Sequence, residues 1–174
     1  MKEIEVKILD IDRKKIEKKL RSLGAKKIFD GRIDARFFDF KNMPVKRAKN
    51  HFRLRKEGNT TKLTFKVHVS KKKAKINKEY EVEVSDFETM KAILELLGLH
   101  VWKRMTKRRI SYMLKGTRFE IDRYAGKYSF IPEFLEIEAK DIKTIYRYAK
   151  LLGFRKEDCR PWTASDLRKY YARK

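Results

Sequence analysis

The stretch Lys2-Glu3-Ile4-Glu5-Val6-Lys7-Ile8-Leu9 alternates charged and apolar residues without a break. Successive side chains of a strand point to opposite faces, so Glu3, Glu5 and Lys7 share one face and Ile4, Val6 and Ile8 the other. Same-face neighbours stand roughly 6.5–7 Å apart, a spacing at which two carboxylates and an ammonium suit a divalent cation flanked by an anion. A half-buried edge strand with a solvated charged face would carry the same pattern. The rest of the chain has to decide between them.

The same parity returns along the sequence. One face collects His51, Arg53 and Arg55, then Lys62, Thr64, Lys66 and His68, then Glu79, Glu81 and Glu83. Further on it collects Lys103, Lys107 and Arg109, then Glu120 and Asp122, then Glu136 and Glu138. The opposite faces carry apolar residues, among them Phe52, Leu54, Leu63, Phe65, Val67, Tyr80, Val82, Phe119, Ile121, Leu135 and Ile137. Closed into one antiparallel sheet, these strands would pack their apolar side against helices and turn the charged side inward. The signs are sorted by strand, which mere solubility does not require. Unpaired buried ions cost several kcal/mol each, on the order given by desolvation, so such a lining calls for divalent cations at the carboxylates and phosphates at the cations.

Between the strands the pattern changes to helical spacing. Asp12 to Leu23 reads as a helix with Ile16, Leu20 and Leu23 apolar, an Asp cap and a stopping Gly24. Asp86 to Leu97 reads as a second, with Met90, Ile93, Leu94 and Leu97 on one face, and Asp141 to Leu152 as a third; a last helix runs from Thr163. Ala25 to Phe40 is extended, Asn42 to Asn50 a loop, and Glu57-Gly58-Asn59 the turn of a hairpin. Ser70 to Lys75 is a lysine run read as an exposed loop, Lys115-Gly116 joins two strands, and Tyr124 to Pro132 is a loop. Zinc spacing, a P-loop, a dinucleotide turn and a nucleophile elbow are all missing from the sequence.

Composition sets the outer bounds. With 174 residues the chain is long enough for one domain, read here as residues 1–174. Lys and Arg number 47 against 24 Asp and Glu, a formal charge of +23, which calls for polyanionic partners. High charge is equally a habit of proteins from very hot environments. The single Cys159 fits a reducing, cytoplasmic compartment, and with no long apolar run the sequence argues against secretion and membrane spanning. Aromatic residues fall on the predicted core faces rather than among the basic ones, which argues against nucleic acid. On the same reading Trp102 and Trp162 are packing residues, and His51 and His68 are bystanders on the polar face.

At this point the chain resembles the CYTH family, the triphosphate tunnel metalloenzymes. Glu3-Ile4-Glu5-Val6-Lys7 is similar to the family's Glu-x-Glu-x-Lys signature. Phe52-Arg53-Leu54-Arg55, Leu63-Thr64-Phe65-Lys66, Glu79-Tyr80-Glu81, Lys107-Arg108-Arg109, Asp122 and Glu136-Ile137-Glu138 follow in the family's order. The resemblance implies an α+β fold, an eight-stranded antiparallel β-barrel forming a charged tunnel with helices outside. It implies Glu3, Glu5, Asp122, Glu136 and Glu138 as the metal-binding set, with Mg²⁺ or Mn²⁺ as cofactor. It implies Lys7, Arg53, Arg55 and Lys66 as catalytic, phosphate-gripping cations, joined in substrate binding by Lys107, Arg109 and the acidic pair Glu79 and Glu81.

The implied activity is metal-dependent attack on a small-molecule triphosphate, by a monomer or homodimer. Water at the terminal phosphorus gives a phosphohydrolase, the reading preferred here. A ribose hydroxyl at the α-phosphorus gives a class IV adenylate cyclase, making cyclic AMP and pyrophosphate. A non-catalytic polyanion-binding module is the third reading, disfavoured because ordered carboxylates would repel its ligand. Tyr128 to Phe134 lacks the glycine-containing turn of many relatives and leaves the substrate open, and Asp39 in Phe37-Phe38-Asp39 is given no chemistry. The C-terminal helix, with Trp162, Leu167, Tyr170 and Tyr171, either closes a tunnel mouth or packs outside.

Overall fold

The computed structural model describes residues 2–173. Eight strands, β1 (Lys2–Ile8), β2 (Lys26–Asp39), β3 (His51–Glu57), β4 (Thr60–Ser70), β5 (Lys75–Val84), β6 (His100–Leu114), β7 (Thr117–Tyr124) and β8 (Phe134–Glu138), close into a barrel. The order around it is β1-β5-β4-β3-β2-β6-β7-β8, and every neighbouring pair is antiparallel. The first strand therefore meets both β5 and β8, with Glu5 opposite Lys75 on one side and Glu138 on the other. Closure leaves no free edge.

The turns are made by the residues that can make them. Lys115 and Gly116 both have positive φ (46° and 73°), the geometry of a primed two-residue hairpin between β6 and β7. Helices α1 (Arg13–Ser22), α3 (Phe87–Leu96) and α4 (Ile142–Leu151) start where Asp12, Asp86 and Asp141 accept a backbone N–H three residues on, at 3.2, 2.7 and 2.7 Å. Helix α5 (Ala164–Tyr171) opens with a Thr163/Asp166 capping box.

Hydrophobic burial lies outside the barrel wall. Ile16 and Leu20 of α1 and Ile145, Tyr148 and Ala149 of α4 cover Ile4, Val6, Phe119, Ile121, Leu135 and Ile137. Leu94 of α3, with Phe87 and Met90, covers Phe38 and Leu54. Each fully buried side chain of this size contributes about 1.5–3 kcal/mol. Two expectations fail here. Ile93 and Leu97 are exposed, so α3 packs through a narrower stripe than its spacing implied, and Tyr80 and Val82 on the outer face of β5 are uncovered by any helix.

Loop expectations are also revised. The segment read as a loop over 42–50 contains a one-turn helix, α2 (Pro44–Arg47), and the lysine run ends in structure: Ala74 is buried and Lys75 begins β5. Tyr124 closes β7 rather than opening a loop, and a 3-10 turn follows over Gly126–Tyr128. Asp39 organises α2. It is fully buried, and its carboxylate accepts the N–H groups of Phe40 (2.9 Å), Val45 (3.1 Å) and Lys46 (2.8 Å). Asp39→Ala leaves three donors without an acceptor, and the expected loss is about 2–4 kcal/mol. Urea unfolding at unchanged m-value measures it; a loss below about 0.5 kcal/mol would show that the cap is dispensable.

Candidate active site

Inside the barrel the inward side chains line a cavity of about 1300 Å³, larger than the few hundred to about 1,000 Å³ common for small-molecule sites. The period of two places Glu3, Glu5 and Lys7 of β1 in it, with Arg53 and Arg55, Lys66, Glu79 and Glu81, Lys107 and Arg109, and Glu136 and Glu138. Of the residues singled out from the sequence, Asp122 alone lies behind the lining. It is fully buried and holds two cations, accepting Lys107 Nζ at 2.5 Å and Arg109 Nε at 2.7 Å.

The lining is an ion-pair network. Lys7 Nζ reaches Glu5 at 2.9 Å and Glu136 at 2.7 Å, and Lys75 Nζ also reaches Glu5, at 3.0 Å. Lys66 pairs with Glu3 and, at 3.3 Å, with Glu79. Arg109 bonds Asp122, Glu120 and, at 2.9 Å, Glu136. Glu81 accepts from Thr64 at 2.8 Å and from Arg55 at 3.3 Å. Although burial opposes ionisation, Lys7, Lys75 and Lys66 hold Glu5 well below the usual carboxylate range, and Lys7 and Lys107 do the same for Glu136. Glu136 and Glu5 in turn hold Lys7 above its ordinary value against its own burial.

Two places are left unbalanced, with opposite signs. Burial and the nearby Glu3 and Glu120 push the Glu138 carboxyl up to about 7. Burial, Glu136 and Asp122 likewise raise Glu120, against the pull of Arg109. Across the lumen Arg53 forms no ion pair among the described residues, and its Nε and that of Arg55 are buried without a hydrogen-bond partner. Burial and Arg55 push the Arg53 guanidinium below its ordinary value. A surplus of carboxylate faces a surplus of guanidinium.

Among the described residues no group of three or more His, Cys, Asp and Glu side chains is arranged to hold a metal ion. Lysine and arginine occupy the carboxylates instead. The chemistry still fits a hard divalent cation: Glu138 has no ion-pair partner among the described residues, Glu3 and Glu120 are its anionic neighbours, and all the donors are carboxylate oxygens.

Several lining residues escaped the sequence reading. Lys75 was hidden in the lysine run, and Glu120, though assigned to the polar face, was not taken for the metal set. Trp102 packs edge-on against Phe37, as read, but it also lines the cavity, because a register shift between Phe37 and Phe38 places it between Lys103 and Val101 in a bulge of β6. His51 and His68 line it too, and burial with Lys75 and Arg53 lowers His51 to about 3, so it is neutral at physiological pH. Helix α5 combines both readings made of it: Leu167 packs with Tyr124, Ile131 and Phe134, while Thr163, Ser165 and Arg168 face the cavity.

The comparisons agree with this architecture. The model of the CYTH domain family matches residues 1–171. A protein from Pyrococcus horikoshii OT3 is 28% identical with a TM-score of 0.77, over 95% of this chain and 98% of that one. A candidate adenylate cyclase from Vibrio parahaemolyticus shares the fold at 13% identity and a TM-score of 0.80, over 96% and 97% of the two chains. A candidate adenylyl cyclase from Hippeastrum, described as revealing a dominant triphosphatase activity, shares it at 14% and 0.66, over 99% and 96%. No curated protein matches the chain. No helix among the described residues is long and apolar enough to cross a membrane.

The raised Glu138 makes stability depend on pH. Its value climbs from an ordinary 4.5 to about 7 on folding, so the folded protein binds the proton more tightly and loses stability as pH rises through that window. Glu138→Gln removes the buried charge. In metal-free buffer the variant is expected to gain about 1–3 kcal/mol at pH 8 and only about a quarter of that at pH 5. Thermal midpoints at the two pH values measure this, and an equal change at both would dismiss the charge cluster as its cause.

Proposed function

This chain belongs to the CYTH family, and from that premise we propose that it is a divalent-metal-dependent phosphohydrolase acting on a small-molecule triphosphate. The observation that supports this reading most directly is Arg53, which lines the lumen next to Arg55 with its Nε buried and with no ion-pair partner among the described residues. A buried donor left unmade costs about 1–3 kcal/mol, and phosphate oxygens are the acceptors that a planar fork matches best.

In this reading Arg53 and Arg55 grip phosphate oxygens in bidentate fashion, and Lys7, Lys66, Lys107 and Arg109 neutralise the remaining charge. Bound phosphate draws the lysines from their carboxylate partners. That exchange releases Glu3, Glu5 and Glu136, which with Glu120 and Glu138 are the residues to hold Mg²⁺ or Mn²⁺. Asp122 keeps Arg109 and Lys107 oriented from behind. The metal, when bound, polarises phosphate oxygens and lowers the pKa of coordinated water. Glu138, held near 7 by burial and by Glu3 and Glu120, is the carboxylate for which a bound cation would supply the missing positive charge. The ordered carboxylates speak for an enzyme over a polyanion-binding module.

Phosphorus-31 NMR on a mixture of ATP and tripolyphosphate, with Mg²⁺ and then Mn²⁺, discriminates the reactions. Tripolyphosphate giving orthophosphate and pyrophosphate is the expected outcome. ATP giving pyrophosphate and a cyclic nucleotide would make the protein a cyclase. Arg53→Ala is expected to lower kcat/KM by about 10²–10³-fold, the scale of losing a preorganised donor to a phosphoryl group, with Arg53→Lys recovering only part. Near-normal turnover in Arg53→Ala and Glu5→Ala together would sink the mechanism.

A further inference from the structure

The cations of the lumen outnumber what a triphosphate needs. The cavity is lined by fifteen Lys and Arg side chains against eight Glu, an excess of seven positive charges. A triphosphate that carries divalent cations with it brings fewer charges than that. The excess is also not spread evenly. The strands alternate direction, so the end of β2, the starts of β3 and β6 and the end of β7 meet at one rim of the barrel, beside α2, the 3-10 turn and α5. Lys46, Lys103, Lys127 and Arg168 gather there, near enough for the last two and Lys46 to depress the Lys103 ammonium, which burial lowers first.

None of these four side chains has an ion-pair partner among the described residues, whereas Lys7, Arg55, Lys66, Lys75, Lys107 and Arg109 deeper in the lumen each pair with a carboxylate. The three lysines rest on rings instead: Lys46 lies 4.8 Å from the centre of Trp102, Lys103 lies 5.1 Å from Phe37 and 5.7 Å from Tyr128, and Lys127 lies 5.4 Å from Tyr128. Rings confine a cation without neutralising it, so it remains available to an anion. The cluster is also continuous with the phosphate-gripping set. Phe37 stands opposite Lys103 on one side and opposite Arg53 on the other. Lys103 and Arg53 are therefore two strand spacings apart, about 9–10 Å along the same row of the barrel.

We propose that this rim is a second anion subsite and that the preferred ligand is a linear polyphosphate longer than three units, its reacting end among Arg53, Arg55 and the carboxylates and its tail across Lys46, Lys103, Lys127 and Arg168. The proposal rests on the triphosphate reading of the lumen and extends it outward. A chain that spans both sites gains affinity from each in a single association.

Isothermal titration calorimetry with Mg²⁺ compares tripolyphosphate with a linear polyphosphate of about ten units, an occupant of both sites by this arithmetic. Three proteins are compared: wild type, the rim variant Lys46→Ala/Lys127→Ala/Arg168→Ala, and a charge-matched control, Lys14→Ala/Lys18→Ala/Lys150→Ala, whose positions lie exposed on α1 and α4. In wild type the longer chain is expected to bind at least about tenfold tighter. The rim variant should lose that advantage while keeping its affinity for tripolyphosphate, and the control should keep both. Equal affinities in wild type, an advantage that survives in the rim variant, or one lost equally in the control would each overturn the subsite. Tripolyphosphate bound without a chain-length advantage rejects the subsite alone. A chain-length advantage without hydrolysis rejects the phosphohydrolase and leaves the subsite standing.

Discussion

Everything in this protein depends on balancing charge in a closed space. A flat sheet could leave Glu3, Lys66 and Arg109 to water, where ion pairs are worth little. Closure of β1 onto β5 and β8 removes that option. Each inward carboxylate must then find a cation, and each cation an anion, or the fold bears the desolvation cost. Lys7 between Glu5 and Glu136, and Lys66 between Glu3 and Glu79, satisfy this from within the chain. Among the described residues Glu138 and Arg53 find no such partner, and the two deficits have the signs of the two halves of a metal–phosphate complex. The site is legible as an incomplete ledger.

The helices serve this arrangement from outside. Because the lumen is reserved for charge, the apolar core has to be built on the convex surface, where Leu20, Tyr148 and Leu94 sit over the strands. That inversion explains why neither α1 nor α3 carries a residue of the site. Asp122 marks the boundary between the two regimes: a buried carboxylate tolerated because Lys107 and Arg109 satisfy it.

Much of this could be read from the sequence, because a strand has period two and that period survives wherever the ladder is regular. The inward set from Glu3 to Glu138 follows from parity, and the turn at Lys115-Gly116 and the caps at Asp12, Asp86 and Asp141 follow from local chemistry. Parity fails where the ladder slips. Trp102 sits in a bulge, so counting by twos assigns it to the wrong face. Lys75 was masked by its neighbours, since four lysines in five residues carry no period at all. Ile93, Leu97, Tyr80 and Val82 look like core residues and are not, because apolar spacing says which face could be covered and not whether another element arrives to cover it. Asp39 needed three dimensions: its partners Val45 and Lys46 are joined to it only through the path of α2.

The double pairing of β1 also governs how the chain reaches its fold. Glu5 must meet Lys75 and, far later in the sequence, Glu138. Contacts of such long separation make folding slow, since the chain surrenders the entropy of a large loop before the last ladder rewards it. On a ribosome β1 emerges before β5 and well before β8, so for much of synthesis it has at best one neighbour. An exposed strand in that position is an invitation to self-association. Glu3, Glu5 and Lys7 make it a poor one: the charges placed for the lumen also keep the waiting strand apart from its copies.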